Sequence, residues 1–509
     1  MTDARIILRN LTANWVGHGA GLVVMFFLSP FIVHNLGVTE YGIWQLLTVL
    51  TGYMGIMDLG VRASTGRYII LYLGQKDYEK VDETIRTGLG LYTVMSGLIL
   101  FAGFILALVF PVVFPSVPTE YHPIIAVLLP VLAVNIWISA IAVILSSVLT
   151  AYERFDLARG SDMIVLAVRT IGTIVAIKFS TGLIGLTIAV IVGNISGLIL
   201  NFILSKQIHH KLKLWPLLLK KNRVKELYNY GIGAFIIAVS VRIMGQTDLL
   251  LVGNLIGIES VAVYSVGAML IYYSNTFSKQ IDTTYFPALQ KAVANGNLED
   301  TRSILYRQIH LSIILGLIMY IGYISFGKAF ITLWMFHSET FPMGSVEKAA
   351  QIMTVLSCAN LLLILSSFSR NFLAATGHIG FAAKMTVLEA IINLIFSISF
   401  VVFFDWGLIG IAAGTFFSHL IIQTMVLPYY ACGKADLNWF QILFKTGGRG
   451  LIAGILFALP CFFVQKLFVA SNWLLFFCQI ILVSLAYIPI IWFLILPEED
   501  KKRFRNKIS

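Results

Sequence analysis

The sequence predicts an all-α polytopic membrane protein with about fourteen transmembrane helices. Of its 509 residues, 58% are hydrophobic and only 12% are charged, about half the charge of a soluble chain. Apolar runs of about 20 residues, the length that crosses a hydrocarbon core of about 30 Å, recur along the chain. Helices are required because the strands of a membrane barrel alternate in polarity over about ten residues.

The apolar runs follow one another with short polar connections between them. Their approximate cores are 11–33, 41–60, 87–110, 123–148, 161–178, 183–204, 230–254, 261–286, 304–334, 346–369, 380–404, 407–430, 447–468 and 473–496. The first run is too long for a signal peptide and has no small-residue cleavage site, so we expect an uncleaved first helix.

Basic residues fix the expected orientation of these spans. With the N-terminus inside, 30 of the 36 Lys and Arg residues lie in cytoplasmic segments and four in outer segments, as expected because basic loops stay inside. A missed helix would mix the two sets. The sequence therefore predicts a multi-pass protein of the plasma (inner) membrane with both termini in the cytoplasm. The formal net charge of +11 belongs to these loops and does not indicate nucleic-acid binding.

Two sequence matches indicate an internal repeat. Residues 35–44 resemble 254–264, and Gly182–Leu186 recurs as Gly407–Ile411, both at an offset of about 220 residues. A unit of six helices returns the chain to its starting side, so the repeats are expected to be parallel. We predict a six-helix lobe over 1–205, a basic cytoplasmic connector over 206–228 and a second six-helix lobe over 229–430, around a central cavity. Helices 13 and 14 and a basic tail occupy 431–509.

The sequence also predicts how the connector lies and where helices pack closely. The connector is expected to be a solvated linker, or to lie on the anionic inner leaflet. Glycine pairs four residues apart, which let helices approach closely, occur at Gly17 and Gly21, Gly193 and Gly197, Gly410 and Gly414, and Gly450 and Gly454.

Several short segments resemble a known family. They are Leu36-Gly37, Glu40-Tyr41-Gly42, Asp58-Leu59-Gly60, Tyr152-Glu153-Arg154-Phe155 and Ala375-Thr376-Gly377-His378. They are similar to the polysaccharide-transport proteins, the oligosaccharide and O-antigen flippases of the multidrug/oligosaccharidyl-lipid/polysaccharide exporter superfamily. The resemblance implies two helical bundles around a cavity, an undecaprenyl-diphosphate-linked glycan as substrate, and polysaccharide polymerase machinery as partner. It brings no catalytic signature.

Arg169 and Arg242 are the sharpest candidates for substrate binding, because each lies near the middle of an apolar run. A charge at the centre of a membrane helix costs about 2.5–3.5 kcal/mol on insertion scales and usually marks a functional pathway. Two guanidinium groups, with Gln246 one turn beyond Arg242, could grip a diphosphate. The alternative is structural pairing of the arginines with a membrane carboxylate, Asp248 or Glu389.

Further cations lie at the inner ends of spans. Lys279 and Arg370 are candidates for binding the substrate, although snorkelling to the interface explains them equally. Arg62 and Arg67 could line an inward mouth for an anionic headgroup, or could contact lipid phosphates.

Three acidic residues are candidates for coupling transport to protons or sodium. They are Asp248, Glu389 and Asp58, because a desolvated carboxylate can hold a proton. For Asp248 and Glu389, ion pairing with the arginines is the structural alternative.

The predicted function is that of a flippase that moves an anionic polyprenyl-diphosphate-linked oligosaccharide outward by alternating access. The short polar segments leave no room for a catalytic or nucleotide-binding domain, so we expect no enzyme activity and no cofactor. Four scattered cysteines predict neither a metal site nor a disulfide framework. The alternatives are a cation-coupled multidrug exporter of the same superfamily and a membrane glycan polymerase. The expected partners are the lipid-linked glycan and membrane lipids.

Overall fold

A computed structural model describes residues 4–57, 60–210, 212, 214–217, 219–496 and 501. This described part is helical throughout and contains no β-strand. Eleven of its helical segments are long and apolar enough to cross a membrane by length and composition. The predicted all-α membrane fold is therefore confirmed.

The helices of the first half begin with one long segment. Their bounds are α1 Ala4–Ile56, α2 Val61–Gly74, α3 Tyr78–Val113, α4 His122–Ala151, α5 Phe155–Lys178, α6 Gly182–Ile208 and α7 Lys221–Leu255. Within α1, Gly37 has φ 76° and ψ 171°, a conformation that only glycine adopts without strain. The break at Gly37 divides α1 into the two spans that the apolar runs predict.

The second half continues with longer helices and three π-helical segments. Their bounds are α8 Ile258–Ala294, α9 Leu298–Met335, α10 Met343–Ala375, α11 Ile379–Val402, α12 Gly407–Ser418, α13 Leu427–Lys434, α14 Trp439–Gln441, α15 Gly448–Leu467 and α16 Trp473–Ile490. The π-helical segments are His419–Val426, Ile442–Gly447 and Ile491–Ile495. Pro428 follows the first of them, and its missing N–H interrupts regular α-helical hydrogen bonding there.

The fourteen apolar runs all fall on these helices. The first of the eleven apolar segments is Gly19–Ile56, which covers parts of two predicted spans. Runs 7 and 8 fall on α7 and α8, with 35 and 37 residues. These two helices are not among the eleven, so their crossing of the membrane stays a prediction.

The chain divides into two compact units. Unit 1 comprises Met1–Arg242 and Gly257–Glu259, and unit 2 comprises Ile243–Ile256 and Ser260–Ser509. In unit 1, α4 packs against α3 and α6, and α6 packs against α5. In unit 2, α9 packs against α10 and α15, while α11 packs against α12.

The glycine pairs mark several of these helix contacts. A Cβ atom at Gly193 or Gly197 would meet Arg169 or Val165 of α5. A Cβ atom at Gly414 would lie 2.7 Å from the backbone nitrogen of Ser397 on α11. The glycines of α15 face α9 in the same way, whereas a Cβ atom at Gly17 or Gly21 would meet nothing within 4 Å.

The connector after α6 packs against unit 1, which differs from the solvated linker that its charge suggests. Leu212, Leu214 and Leu217 pack on a buried cluster formed by α2, α3 and α4. The Arg86 Nε–H donates to the carbonyl oxygen of Pro216 at 2.7 Å. Three leucines of the connector therefore pack against the rest of unit 1, while its basic residues contact α3.

Glu83 is the main charged contact between α3 and the connector. Its carboxylate accepts a hydrogen bond from Lys220 and pairs with Arg223 at 3.4 Å. Glu83 precedes the apolar part of α3, which begins near residue 87. The Lys220 ammonium, followed by the Arg223 guanidinium, holds the pKa of the Glu83 carboxyl below its usual value.

Replacing Gly414 by Ala is expected to lower the stability of unit 2. The added methyl group would overlap backbone atoms of Ser397, and overpacking of this kind costs about 1–3 kcal/mol. The measurement is the melting temperature of the full chain in detergent. The matched control is Gly322→Ala in α9, where a Cβ atom meets nothing within 4 Å; a lower melting temperature in the control alone would contradict the packing argument.

Glu83→Gln is expected to flatten the pH dependence of stability. Because the pKa of Glu83 is lowered in the folded state, its contribution is present above the unfolded-state pKa of about 4.3. That contribution is lost as the pH falls through the lower folded-state value. The melting temperature from about pH 7 to about pH 3 should therefore fall less in the variant, which starts lower at pH 7. The exposed Glu299→Gln is the control, and parallel curves for wild type and Glu83→Gln would refute the expectation.

Candidate functional site

Arg169 lies in the middle of α5 with an exposed side chain. Its aliphatic part lies against Gly193 of α6, where an added Cβ atom would overlap Arg169 Cγ. Within the described residues of unit 1, no hydrogen bond or ion pair engages its guanidinium group. Gly193 therefore gives the aliphatic part of Arg169 a place to pack against α6.

Arg242 and Arg62 lie within electrostatic range of each other in unit 1. Both side chains are partly buried, and Arg62 and Tyr53 lie within electrostatic range of Arg242. Gly60, with φ 77°, begins α2 and thereby sets the position of Arg62 in the first turn. The structure thus brings together two cations that are 180 residues apart in the sequence.

Three other candidate residues, Arg67, Gln246 and Asp58, are close to this pair in the sequence. Arg67 is exposed on α2, with its guanidinium carbon 5.9 Å from the ring centre of Tyr68. Gln246 is partly buried one helical turn beyond Arg242. Asp58 lies outside the described residues.

Asp248 is buried in unit 2, with 5% of its surface exposed. Its Oδ2 atom accepts hydrogen bonds from the hydroxyl of Tyr264 at 2.6 Å and of Thr415 at 3.2 Å. Asn393 in turn donates to the Thr415 hydroxyl at 2.9 Å. The Oδ1 atom has no hydrogen-bond partner among the described residues, so one carboxylate oxygen remains available for a proton or a cation.

Glu389 is the most deeply buried acidic candidate, at 1% exposure. Gln423 donates to its Oε2 atom at 2.6 Å, and Nδ1 of His419 lies 2.9 Å from its Oε1 atom. Arg370, which is 46% exposed, places Nη2 at 3.6 Å from Glu389 Oε2. Both His419 and Gln423 belong to the π-helical segment after α12, a feature that is frequent at functional sites.

A second acid, in the second half of α8, lies near this group. Asp282 accepts a hydrogen bond from Gln308 at 2.9 Å and lies within electrostatic range of Arg370 and Lys279. Lys279 itself is exposed. Arg370 therefore contacts Glu389 of α11 and lies within electrostatic range of Asp282 of α8.

A polar chain runs through unit 2. His419 lies within electrostatic range of Asp248 and pairs with Glu389, and Glu389 contacts Arg370. This chain therefore places two carboxylates, an imidazole and a guanidinium group near one another in unit 2. In the described part of the protein, no group of three or more His, Cys, Asp or Glu residues is arranged to hold a metal ion.

The partners of these acids were not predicted from the sequence. Tyr264, Thr415, Gln423 and Gln308 are single polar residues within apolar runs, and such residues are also common as packing groups. Their presence in a run is a signal, but it does not say which acid they contact.

Comparison with known proteins identifies the family. Residues 70–484 match the family model described as "Lipid II flippase MurJ". The chain is 23% identical over 235 residues to the "Probable low-salt glycan biosynthesis flippase Agl15" of Haloferax volcanii, covering 46% of this chain and 48% of that protein. It is 19% identical over 519 residues to the "Uncharacterized membrane protein EpsK" of Bacillus subtilis, covering 98% of both.

Two solved structures share the fold. One is a lipid II flippase MurJ in an inward closed conformation, with a TM-score of 0.75 and 14% identity over 99% of this chain and 100% of that chain. The other is an inward-facing multidrug resistance MATE family transporter of the MOP superfamily. It has a TM-score of 0.71 and 13% identity over 81% of this chain and 94% of that chain.

These findings confirm the superfamily that the sequence resembles, and the family model that matches within it is that of the lipid II flippases. The matched region extends from α2 to α16 and covers well over half of the residues. The chain therefore belongs to the lipid II flippase MurJ family.

Proposed function

We propose that the protein moves an anionic polyprenyl-diphosphate-linked oligosaccharide from the inner to the outer leaflet, for synthesis of a cell-surface polysaccharide. The observation that carries this proposal is the proximity of Arg62 and Arg242 in unit 1. Two like charges close together repel, so the pair is favoured when an anion lies between them. A diphosphate offers such an anion, with oxygens that accept bidentate hydrogen bonds from guanidinium groups.

The remaining basic candidates extend this binding surface in the proposal. Arg67 and Gln246 contact the headgroup near the arginine pair, and Arg169 binds phosphate or sugar oxygens with its open guanidinium end. Lys279 and Arg370 form a second basic group in unit 2. Arg370 is already held by Glu389 at 3.6 Å, so its release to a ligand depends on the state of that acid.

Transport proceeds by alternating access in this proposal. The lobes 1–205 and 229–430 rock against each other around a central cavity, with the connector 206–228 between them. The last two predicted spans, 447–468 and 473–496, lie within 431–509 and beside this core. The lipid tail stays in the bilayer while the headgroup crosses. Both termini face the cytoplasm at the inner membrane, and polymerase machinery receives the product.

Asp248 and Glu389 are the proposed sites of coupling to a proton or sodium gradient. Both are buried. Oδ1 of Asp248 has no hydrogen-bond partner among the described residues, and Oε1 of Glu389 lies 2.9 Å from Nδ1 of His419. Asp58 is a third candidate for coupling, and this proposal rests on the sequence alone.

The competing function is a multidrug exporter, since a MATE transporter shares the fold. A site for cationic drugs would present acidic groups to its ligand, whereas Arg62, Arg169 and Arg242 present positive charge. A glycan polymerase would be expected to carry a large outer loop, and the longest outer connections of this chain are short.

The arginine pair is tested by flipping of a fluorescent polyprenyl-diphosphate sugar in proteoliposomes. Arg62→Ala and Arg242→Ala should each slow flipping by about tenfold or more, because a hydrogen bond to a charged group contributes about 1.5–3 kcal/mol. The control is Arg159→Ala, which removes an exposed arginine paired with Asp162. The assignment of Arg62 and Arg242 to diphosphate binding would be wrong if both variants flip the sugar at the wild-type rate. It would also be wrong if the variants lose export of a cationic dye while flipping is unchanged.

Coupling is tested in the same vesicles with imposed gradients. Glu389→Gln and Asp248→Asn remove the charge but keep the side-chain shape, so the variant at the coupling site should flip at a rate independent of the gradient. A pH gradient and a sodium gradient are applied separately to identify the ion. Glu347→Gln, which alters an exposed pair with Lys328, is the control. If both site variants respond to the gradients as the wild type does, coupling lies elsewhere.

A further inference from the structure

A cavity of about 840 Å³ opens in unit 2 between the start of α9 and the turn that joins α13 to α14. Its walls are rich in aromatic rings, including Tyr306, Tyr429, Tyr430, Trp439 and Phe440, and Lys434 lies at its edge. None of these residues belongs to the proposed substrate or coupling groups. The distribution of basic residues predicts that this end of unit 2 is cytoplasmic.

Trp439 supplies the first sign of a ligand. Its side chain is buried, with 2% exposed, yet its indole Nε1–H has no hydrogen-bond partner among the described residues. A buried indole N–H normally finds an acceptor, and leaving such a group unsatisfied costs about 1–3 kcal/mol. The ring itself is held against Phe368, with centres 6.4 Å apart, so the donor is fixed in place. A ligand in this cavity is therefore expected to carry a hydrogen-bond acceptor.

The charges around the cavity favour an anion. Asp436 also lines it, but this carboxylate is paired with Arg302, whose Nη2 lies 2.7 Å from Oδ2. Lys434 is exposed, and its ammonium nitrogen lies 5.7 Å from the centre of the Tyr430 ring. Since Lys434 and Trp439 provide only donors, a phosphate group matches both.

The surroundings favour a lipid over a soluble phosphate. Tyr429 and Phe440 are 62% and 52% exposed at the mouth of the cavity, and aromatic rings of this kind occupy the membrane–water interface. Phe444, Leu451 and Ile455 follow Phe440 along the chain and are all more than half exposed, which makes this stretch an apolar strip. An acyl chain can lie along this strip while its headgroup stays in the cavity. Basic pockets at the cytoplasmic side of membrane helices are known to bind lipid headgroups.

We propose that this cavity binds the headgroup of one anionic glycerophospholipid of the inner leaflet. The Trp439 indole N–H donates to a phosphate oxygen, Lys434 pairs with the phosphate charge, and the acyl chains lie along Phe440, Phe444 and Leu451. The lipid is a resident ligand, separate from the transported substrate, and the proposal does not depend on which glycan is moved.

The test is retention of phosphatidylglycerol by the purified full chain in neutral detergent, counted by native mass spectrometry. The double variant Lys434→Gln, Trp439→Phe keeps the aromatic packing but removes the charge and the indole donor. It should retain at least about tenfold less phosphatidylglycerol than the wild type. The matched control is Lys466→Gln, Trp406→Phe, which changes exposed residues on the predicted outer side; the control should retain lipid as the wild type does.

Two further arms make the result decisive. Lys434→Gln alone changes an exposed residue and cannot disturb the core, and it should still lower retention severalfold. Phosphatidylcholine offered to the wild type should be retained less than phosphatidylglycerol. Equal retention by wild type and double variant, equal retention of the two lipids, or displacement of phosphatidylglycerol by millimolar inorganic diphosphate would each overturn the proposal. The last outcome would assign the cavity to a soluble phosphate or to the substrate.

Discussion

The scarcity of water inside a bilayer is the constraint on which this protein depends. An ionised side chain at the centre of a membrane helix costs about 2.5–3.5 kcal/mol on insertion scales, so each one must find partners within the protein or face a polar ligand. Asp248 and Glu389 meet this demand with hydroxyl, amide, imidazole and guanidinium groups from neighbouring helices. The long helices exist for the same reason, since they satisfy their own backbone groups.

The two units meet the constraint in different ways. In unit 2, Arg370 lies 3.6 Å from Glu389, and hydroxyl, amide and imidazole groups contact the oxygens of Asp248 and Glu389. In unit 1, Arg62 and Arg242 lie within electrostatic range of each other, and the aliphatic part of Arg169 packs against Gly193. The charged candidates that the structure describes in unit 1 are therefore arginines, whereas unit 2 holds both acids and cations.

The sequence was sufficient for the helices but not for the partners of the acids. Run length and polarity are local properties, so all fourteen apolar runs fall on helices, and Gly37 breaks α1 where two runs meet. Glu389 and Gln423 are 34 residues apart, and Asp248 and Thr415 are 167 apart. Such contacts depend on how helices pack, which residue type alone does not determine. The connector shows the same limit, because its leucines were outnumbered by basic residues and still bury themselves against unit 1.

The π-helical segment after α12 has a mechanical consequence. A π turn holds one residue more than an α turn, so returning this stretch to α geometry would rotate everything beyond it by about 100° about the helix axis. His419 and Gln423 lie within the segment, and α13 with Lys434 follows directly. Loss of this extra residue from the turn would therefore rotate the imidazole of His419 away from Glu389. The same rotation would move α13, which forms part of the wall of the aromatic cavity. A change in the π-helical segment would therefore alter the surroundings of Glu389 and the wall of the aromatic cavity together.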